Sequence, residues 1–316
     1  MLKNRLFLIA VFIIIGSSNP VAIKFALNAG WTPFALGMLR MAVIGIFFTF
    51  WTMSKGEGLI GPHREAGKYV LFAAFCKAVG VVLFYISLSM IPANRAVVIS
   101  TLSPLVTLVL VHFILESERV KKHHIIGVLT SLAGILILLI LKDGSSGAHV
   151  KVFSPSLVGD LLMIVSVIFN NAMVVFEKKA LLKGASPNQL LVSTNILSVA
   201  VFGVLFAVSS ESLHAIPVNP SSVTSYLYLV SAVGIFLFYY RRWLVSELDV
   251  TYISSFSHLG KAVSIIYAVI FLGESISLYS LLCFTLILAG TVVASSEGRA
   301  AKNGGKADPL VTYEAG

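Results

Sequence analysis

Runs of about twenty apolar residues recur along almost the whole chain, and a helix needs about that many to cross a hydrocarbon core roughly 30 Å thick. They fall at 5–28, 32–54, 66–91, 94–115, 123–141, 157–176, 189–209, 222–245, 250–272 and 277–295. Their length and the lack of strict two-residue alternation favour helices over the short strands of a transmembrane barrel. Ten such helices take up about 220 residues, which leaves short loops and no room for a folded soluble domain. The predicted class is therefore an all-α integral membrane protein, with the lipid bilayer as its first partner. A composition of 57% hydrophobic and 12% charged residues points the same way and argues against a soluble enzyme or a nucleic-acid binder. Cys76 and Cys283 both lie in apolar runs, so neither a disulfide framework nor a thiol metal site is indicated. No cofactor motif, metal-ligand grouping or catalytic constellation is expected.

The segment 143–156, rich in Ser, Gly and His at its start, divides the spans five and five. The expected organisation is a first five-helix repeat over 1–142, that linker, a second repeat over 157–296, and a polar, disordered cytoplasmic tail over 297–316. Shifting the sequence by about 154 lays Lys24 on Lys178, Gly30 on Gly184 and Pro33 on Pro187; a shift of about 156 lays Glu118 on Glu274 and Ala133-Gly134 on Ala289-Gly290. These ordered matches indicate duplication, and they argue against reading the first run as a cleaved secretory signal.

Charge sets the topology. With the amino terminus in the cytoplasm, sixteen of the 23 Lys and Arg residues fall on that side and only Arg95, Lys142 and Lys151 on the other, as the positive-inside bias requires. Both termini are then cytoplasmic, and a prokaryotic inner (plasma) membrane is the simplest setting. With five spans per half, the second repeat enters the membrane upside down relative to the first. Such inverted repeats are a common transporter plan, with the substrate held near the midplane where they meet.

Four cations remain inside spans: Lys24, Arg40, Lys77 and Lys261. Lys24 lies about 28 Å beyond Arg5 along its helix and can snorkel to the outer interface. Arg40, Lys77 and Lys261 lie about 12, 14 and 18 Å in from their span ends, in one central layer. Charge at that depth is costly unless it faces water, a partner or a polar cavity, and the acids, Asp160 and Glu274 among them, sit at span ends or in loops. These three cations are therefore predicted to line a cavity in which an anionic solute supplies the missing charge. The alternative for Arg40 is a structural role, bonding helix-end carbonyls.

Asn170 and Asn171 stand mid-span opposite the repeat positions of Gly16 and Ser17, and Ser254, Ser257 and His258 share a helix face with Lys261. All are candidate substrate contacts, as is Tyr85, which could stack on a ligand; helix packing is the alternative for the serines, and interface anchoring for Tyr85, Tyr239, Tyr240 and Tyr252. Pro20 and Pro104 lie inside spans and invite kinks that could serve as hinges.

The pattern Gly16-Ser17-Ser18-Asn19-Pro20, then Lys24, Pro33 and Arg40, resembles the opening helices of EamA-type members of the drug/metabolite transporter superfamily. Ser103-Pro104 leading to Glu118, and Phe271-Leu272-Gly273-Glu274 before the Ala289-Gly290 helix, are similar to that family's repeat endings. The resemblance implies a ten-helix inverted-repeat carrier that moves small metabolites by alternating access. Where that family commonly has a proline, thirteen residues before Glu274, this chain has Lys261. The setting Ser257-His258-Leu259-Gly260-Lys261 is similar to the ninth helix of plastid sugar-phosphate/phosphate translocators, in which a basic pair binds phosphate. Gly260 stands in place of the first basic residue, and Ser100 in place of a further one, so sugar-phosphate specificity does not carry across.

The function expected from these readings is facilitative or secondary-active transport of a small organic anion or zwitterion, such as an amino acid, carboxylate or phosphorylated metabolite, by uniport or exchange. Two other readings predict different residues. An exporter of cationic or lipophilic compounds calls for an intramembrane carboxylate, and a membrane-embedded enzyme acting on lipid phosphates calls for an acid–base or metal grouping. The sequence leaves a monomer or a homodimer open.

Overall fold

A computed structural model describes residues 2–56, 64–115, 155–209, 216–240, 250–276 and 278–295, together with Glu211 and six helical positions between 126 and 137. The predicted fifth span is represented by those six positions. Residues 143–154 of the predicted linker and the 297–316 tail lie outside the described residues, as does Glu118.

Among the described residues every regular element is helical. In chain order they are α1 (Leu2–Ser17), α2 (Asn19–Asn28), α3 (Pro33–Ser54), α4 (Arg64–Met90), α5 (Ala93–Ser100), α6 (Ser103–Leu115), α7 (Pro155–Leu182), α8 (Pro187–Val208), α9 (Pro220–Val230), α10 (Val250–Leu272) and α11 (Leu278–Ser295). Seven of the spans among the described residues are long and apolar enough to cross a bilayer. Large apolar side chains such as Leu71, Phe113, Val208 and Ile270 are exposed on the outer faces, as lipid rather than water would require. The chain is an integral membrane protein.

Local sequence explains the ends. Pro33, Pro155, Pro187 and Pro220 each open a helix, where a missing N–H costs nothing. Ser186 and Gln189 form a reciprocal capping box at α8, and Asn219 caps α9 through the Ser222 N–H. The aligned glycines Gly30 and Gly184 both have positive φ, 106° and 88°. Each ends a helix in the same pattern, with Trp31 N donating to Ala26 O and Ala185 N to Ala180 O, a left-handed cap that glycine favours. The sequence duplication is thus repeated in backbone geometry.

Three predicted spans depart from uninterrupted helices, and one runs longer than predicted. The first breaks at Ser18 between α1 and α2, and the fourth at Thr101–Leu102 between α5 and α6. The eighth continues from α9 through a π-helical turn, Ser231–Phe236, to Tyr240. The sixth, α7, extends to Leu182, so Glu177, Lys178 and Lys179 are helical.

The halves pack through exchanged positions: α4 lies against α7, α1 and α2 lie against α10 and α9, and α3 crosses α8. At one end of the bundle Asn219 Nδ2 donates to Ala29 O at 3.4 Å, Thr32 Oγ1 to Glu211 at 2.6 Å, and Asn94 N to Glu274 at 2.8 Å. That end therefore gathers the segments after the first and third spans of one half with those after the second and fourth spans of the other. The two repeats consequently run in opposite directions through the bundle. A shared core joins them, in which Ile23, Leu36, Tyr85 and Ile99 from the first repeat meet Met163, Phe202, Leu229 and Ile287 from the second.

Candidate functional site

A cavity of about 520 Å³ lies between the repeats, a size typical of small-molecule sites. Its wall includes both helix breaks. Asn19 and Pro20 begin α2, Ser103 begins α6, and all three line the cavity. Pro20 and Pro104 follow these breaks, at which Ser18 and Thr101 keep right-handed helical φ and ψ. Each occupies the first turn of a new helical segment, where proline is well accommodated. Pro104's ring lies outside the described side chains.

Arg40, Lys77 and Lys261 come from three different helices and all line this cavity. Arg40 is buried; Nη1 donates to Tyr85 Oη at 2.9 Å and Nη2 to Asn19 Oδ1 at 3.1 Å. Its partners are side chains of the cavity wall rather than helix-end carbonyls, and its Nε has no partner. Lys77 is buried too. Its Nζ donates to Asn195 Oδ1 at 3.0 Å and Thr194 Oγ1 at 3.2 Å, and lies 4.8 Å from the centroid of the Phe238 ring. Lys261 is half-buried on the wall and makes no hydrogen bond or ion pair among the described residues. Among the described residues no carboxylate belongs to the lining.

The neighbouring polar groups are mostly committed. Asn170 Nδ2 donates to Ser166 O at 2.9 Å, Asn171 Nδ2 to Val167 O at 2.6 Å, and Asn171 Oδ1 accepts from Thr107 at 2.8 Å. Both asparagines line the cavity, and Asn170 packs on Gly80, where a Cβ would come within 2.9 Å of its amide. Tyr85 is buried, with its ring edge-on to Phe202 at 5.5 Å. Tyr240 is buried and stacks on Phe236, whereas Tyr239 is exposed beside Trp51. The side chains of Ser254, Ser257, His258 and Tyr252 lie outside the described ones, although their backbone is part of α10.

Gly260 has a packing reason. A Cβ there would lie 3.1 Å from Ser17 Oγ, and Ser264 Oγ donates to Ser17 O at 2.6 Å, so α10 presses on the break in the first span at this level. The basic residue absent from position 260 has little room there.

Two charges find protein partners that the sequence did not show. Arg95, in the first turn of α5, is buried in a two-pronged ion pair with Asp160 on α7 at 2.7 Å for both bonds. Asp160 is fully buried. Lys24 does not simply reach toward headgroups: its Nζ donates to Leu88 O at 2.7 Å and ties α2 to the end of α4. Glu274 accepts from Ala93 N at 2.7 Å and Asn94 N at 2.8 Å, capping α5 from the other repeat. Sequence reasoning missed Thr194, Asn195 and Phe238 as the setting of Lys77. The adjacent polar pair in mid-span was the available signal.

The sequence model of the EamA-like transporter family matches residues 4–140 and again 157–296. A protein of Archaeoglobus fulgidus named "Uncharacterized transporter" is 23% identical over 295 residues, covering 92% of this chain and 96% of that protein. A solved structure presented as "Crystal structure of protein" superposes with a TM-score of 0.65 at 17% identity, covering 94% of this chain and 98% of that one. This last likeness concerns the fold.

Proposed function

As the chain belongs to the EamA-like transporter family, we propose that it carries a small organic anion through the bilayer, binding it in the cavity between the repeats. One observation carries this reading: Arg40, Lys77 and Lys261 converge on a lining that contains no carboxylate among the described residues. Cations in a low-dielectric wall favour a solute that brings negative charge. The same observation weighs against a cationic passenger. Among the described residues the lining also lacks an acid–base pair suited to lipid-phosphate chemistry, and the family match supports reading the protein as a carrier.

Transport then proceeds by alternating access. The outer ends of the repeats are joined by Glu274 on α5, Arg95 on Asp160, Glu211 on Thr32 and Asn219 on Ala29. Opening toward that side separates these links, and the breaks at Ser18 and Thr101 let half-helices tilt. With no carboxylate among the described residues of the cavity to relay protons, uniport or exchange of one anion for another fits better than proton coupling. The setting is a plasma membrane with both termini cytoplasmic, the arrangement supported by the sequence's cation bias.

Proteoliposomes test this directly. Vesicles preloaded with a bound anion should take up the same labelled anion by counterflow, with or without a pH gradient. Uptake that requires a pH gradient and no internal anion, or uptake of organic cations only, overturns the reading.

A further inference from the structure

The three cavity cations are not equivalent, and the difference narrows what the site accepts. Lys77 is already held by Asn195, Thr194 and the Phe238 ring, and Arg40 by Tyr85 and Asn19. Lys261 is the cation of the lining without a hydrogen bond or ion pair among the described residues. The wall also carries five serines: Ser17, Ser100, Ser103, Ser166 and Ser264. A hydroxyl has one proton to donate, and all five are engaged. Ser17 donates to Ile13 O, Ser100 to Val97 O, Ser103 to Ser100 O, Ser166 to Gly80 O, and Ser264 to the carbonyls of Ser17 and Gly260. The amides of Asn170 and Asn171 likewise point their N–H groups at carbonyls of their own helix.

A phosphate dianion or a dicarboxylate calls for many donors and more than one available cation. Among the described residues the wall offers one ammonium without a hydrogen bond, that of Lys261, while the Arg40 Nε, which also lacks a partner, is buried within the wall. The rest of the surface is apolar, with Ile23, Met41, Phe84, Val97, Met163 and Phe238 among the lining residues.

We propose that the passenger is a monoanion on an apolar body, its head group held by Lys261 and its body lodged against the aliphatic and aromatic wall, while Lys77 positions α4 against α8 and the Phe238 ring. This rests on the anion reading above and deepens it.

The test is a binding panel on the purified full chain, read by thermal shift and by competition. The probes are 3-phenylpropionate, 4-methyl-2-oxopentanoate, succinate, glucose 6-phosphate, the neutral 3-phenylpropionamide and zwitterionic phenylalanine. The two apolar monoanions should raise the melting temperature and bind at least tenfold more tightly than the other four. Lys261→Gln should weaken them tenfold or more, Lys261→Arg should restore most of that loss, and Lys77→Gln should weaken them clearly less than Lys261→Gln does. Tighter binding of succinate or glucose 6-phosphate, itself lost in Lys261→Gln, overturns the monoanion inference and leaves the anion reading standing. Equal binding of the amide overturns both. Equal binding of phenylalanine, loss on Lys77→Gln alone, or silence of both monoanions also overturns the inference.

Discussion

At the residue scale, the strongest single commitment is the Arg95–Asp160 pair, buried and bonded through both carboxylate oxygens. Asp160→Asn leaves an uncompensated guanidinium in the protein interior and should cost about 3–5 kcal/mol. Replacing both partners by apolar residues of similar size should cost far less, because the desolvation penalty disappears with the charges. Thermal unfolding in detergent checks both, and equal losses for the single and double variants would contradict this account. Close packing gives a second prediction. A Cβ on Gly37 would fall 2.2 Å from the fully buried Phe202 ring, where α3 crosses α8, so Gly37→Ala should destabilise by about 1–3 kcal/mol. Arg40, Lys77 and Lys261 were legible in sequence because cations interrupt apolar runs. Their settings were not: Lys77 and its partners are 117 and 118 residues apart, and Arg95 and Asp160 are 65 apart. No local spacing encodes such meetings.

At the scale of elements, the π-helical turn Ser231–Phe236 sets the angle at which the end of the eighth span meets the site. Such turns accommodate one residue more than an α-helix does. Phe238→Ala removes the ring from Lys77 and leaves the turn itself in place. Binding should weaken several-fold with the helical content unchanged by circular dichroism; unaltered affinity would remove Phe238 from the site. Pro20 offers a complementary check. Since it stands in the first turn of α2, Pro20→Ala should change stability by under about 1 kcal/mol. If the break at Ser18 acts as a hinge, the same variant slows transport while equilibrium binding is preserved. Span positions were readable from hydropathy to within a few residues, but the breaks and the π turn were not. They depend on which carbonyls find partners across the repeats, as Ser17 O does in Ser264.

For the molecule as a whole, the opposed orientation of the two halves is what brings the segments of Ala29, Asn94, Glu211 and Glu274 to one end. Duplication, span number and cation bias made that arrangement legible, and the shared cap geometry at Gly30 and Gly184 is its clearest physical trace. The ties across the outer end were hidden, since Glu274 reads in sequence only as part of a family-like ending. Its carboxylate accepts two backbone N–H groups of α5, charge-assisted bonds worth roughly 1.5–3 kcal/mol each. Glu274→Ala should therefore favour separation of the outer ends. A cysteine placed at Ser100, on the cavity wall, should then react faster with an impermeant thiol reagent added from outside; an unchanged rate would exclude this tie from the gate.

The tight seat of Gly260 against Ser17 also constrains how such a carrier can diverge. A lineage drifting toward doubly charged cargo would gain from a second lysine beside Lys261. That step is hindered while a hydroxymethyl group occupies the facing position, since the Ser17 Oγ would have to give by a few tenths of an ångström. Gly260→Lys alone should misfold or express poorly, and Ser17→Gly introduced first should rescue it. Ancestry is then directional at this pair: the smaller neighbour has to come before the larger newcomer.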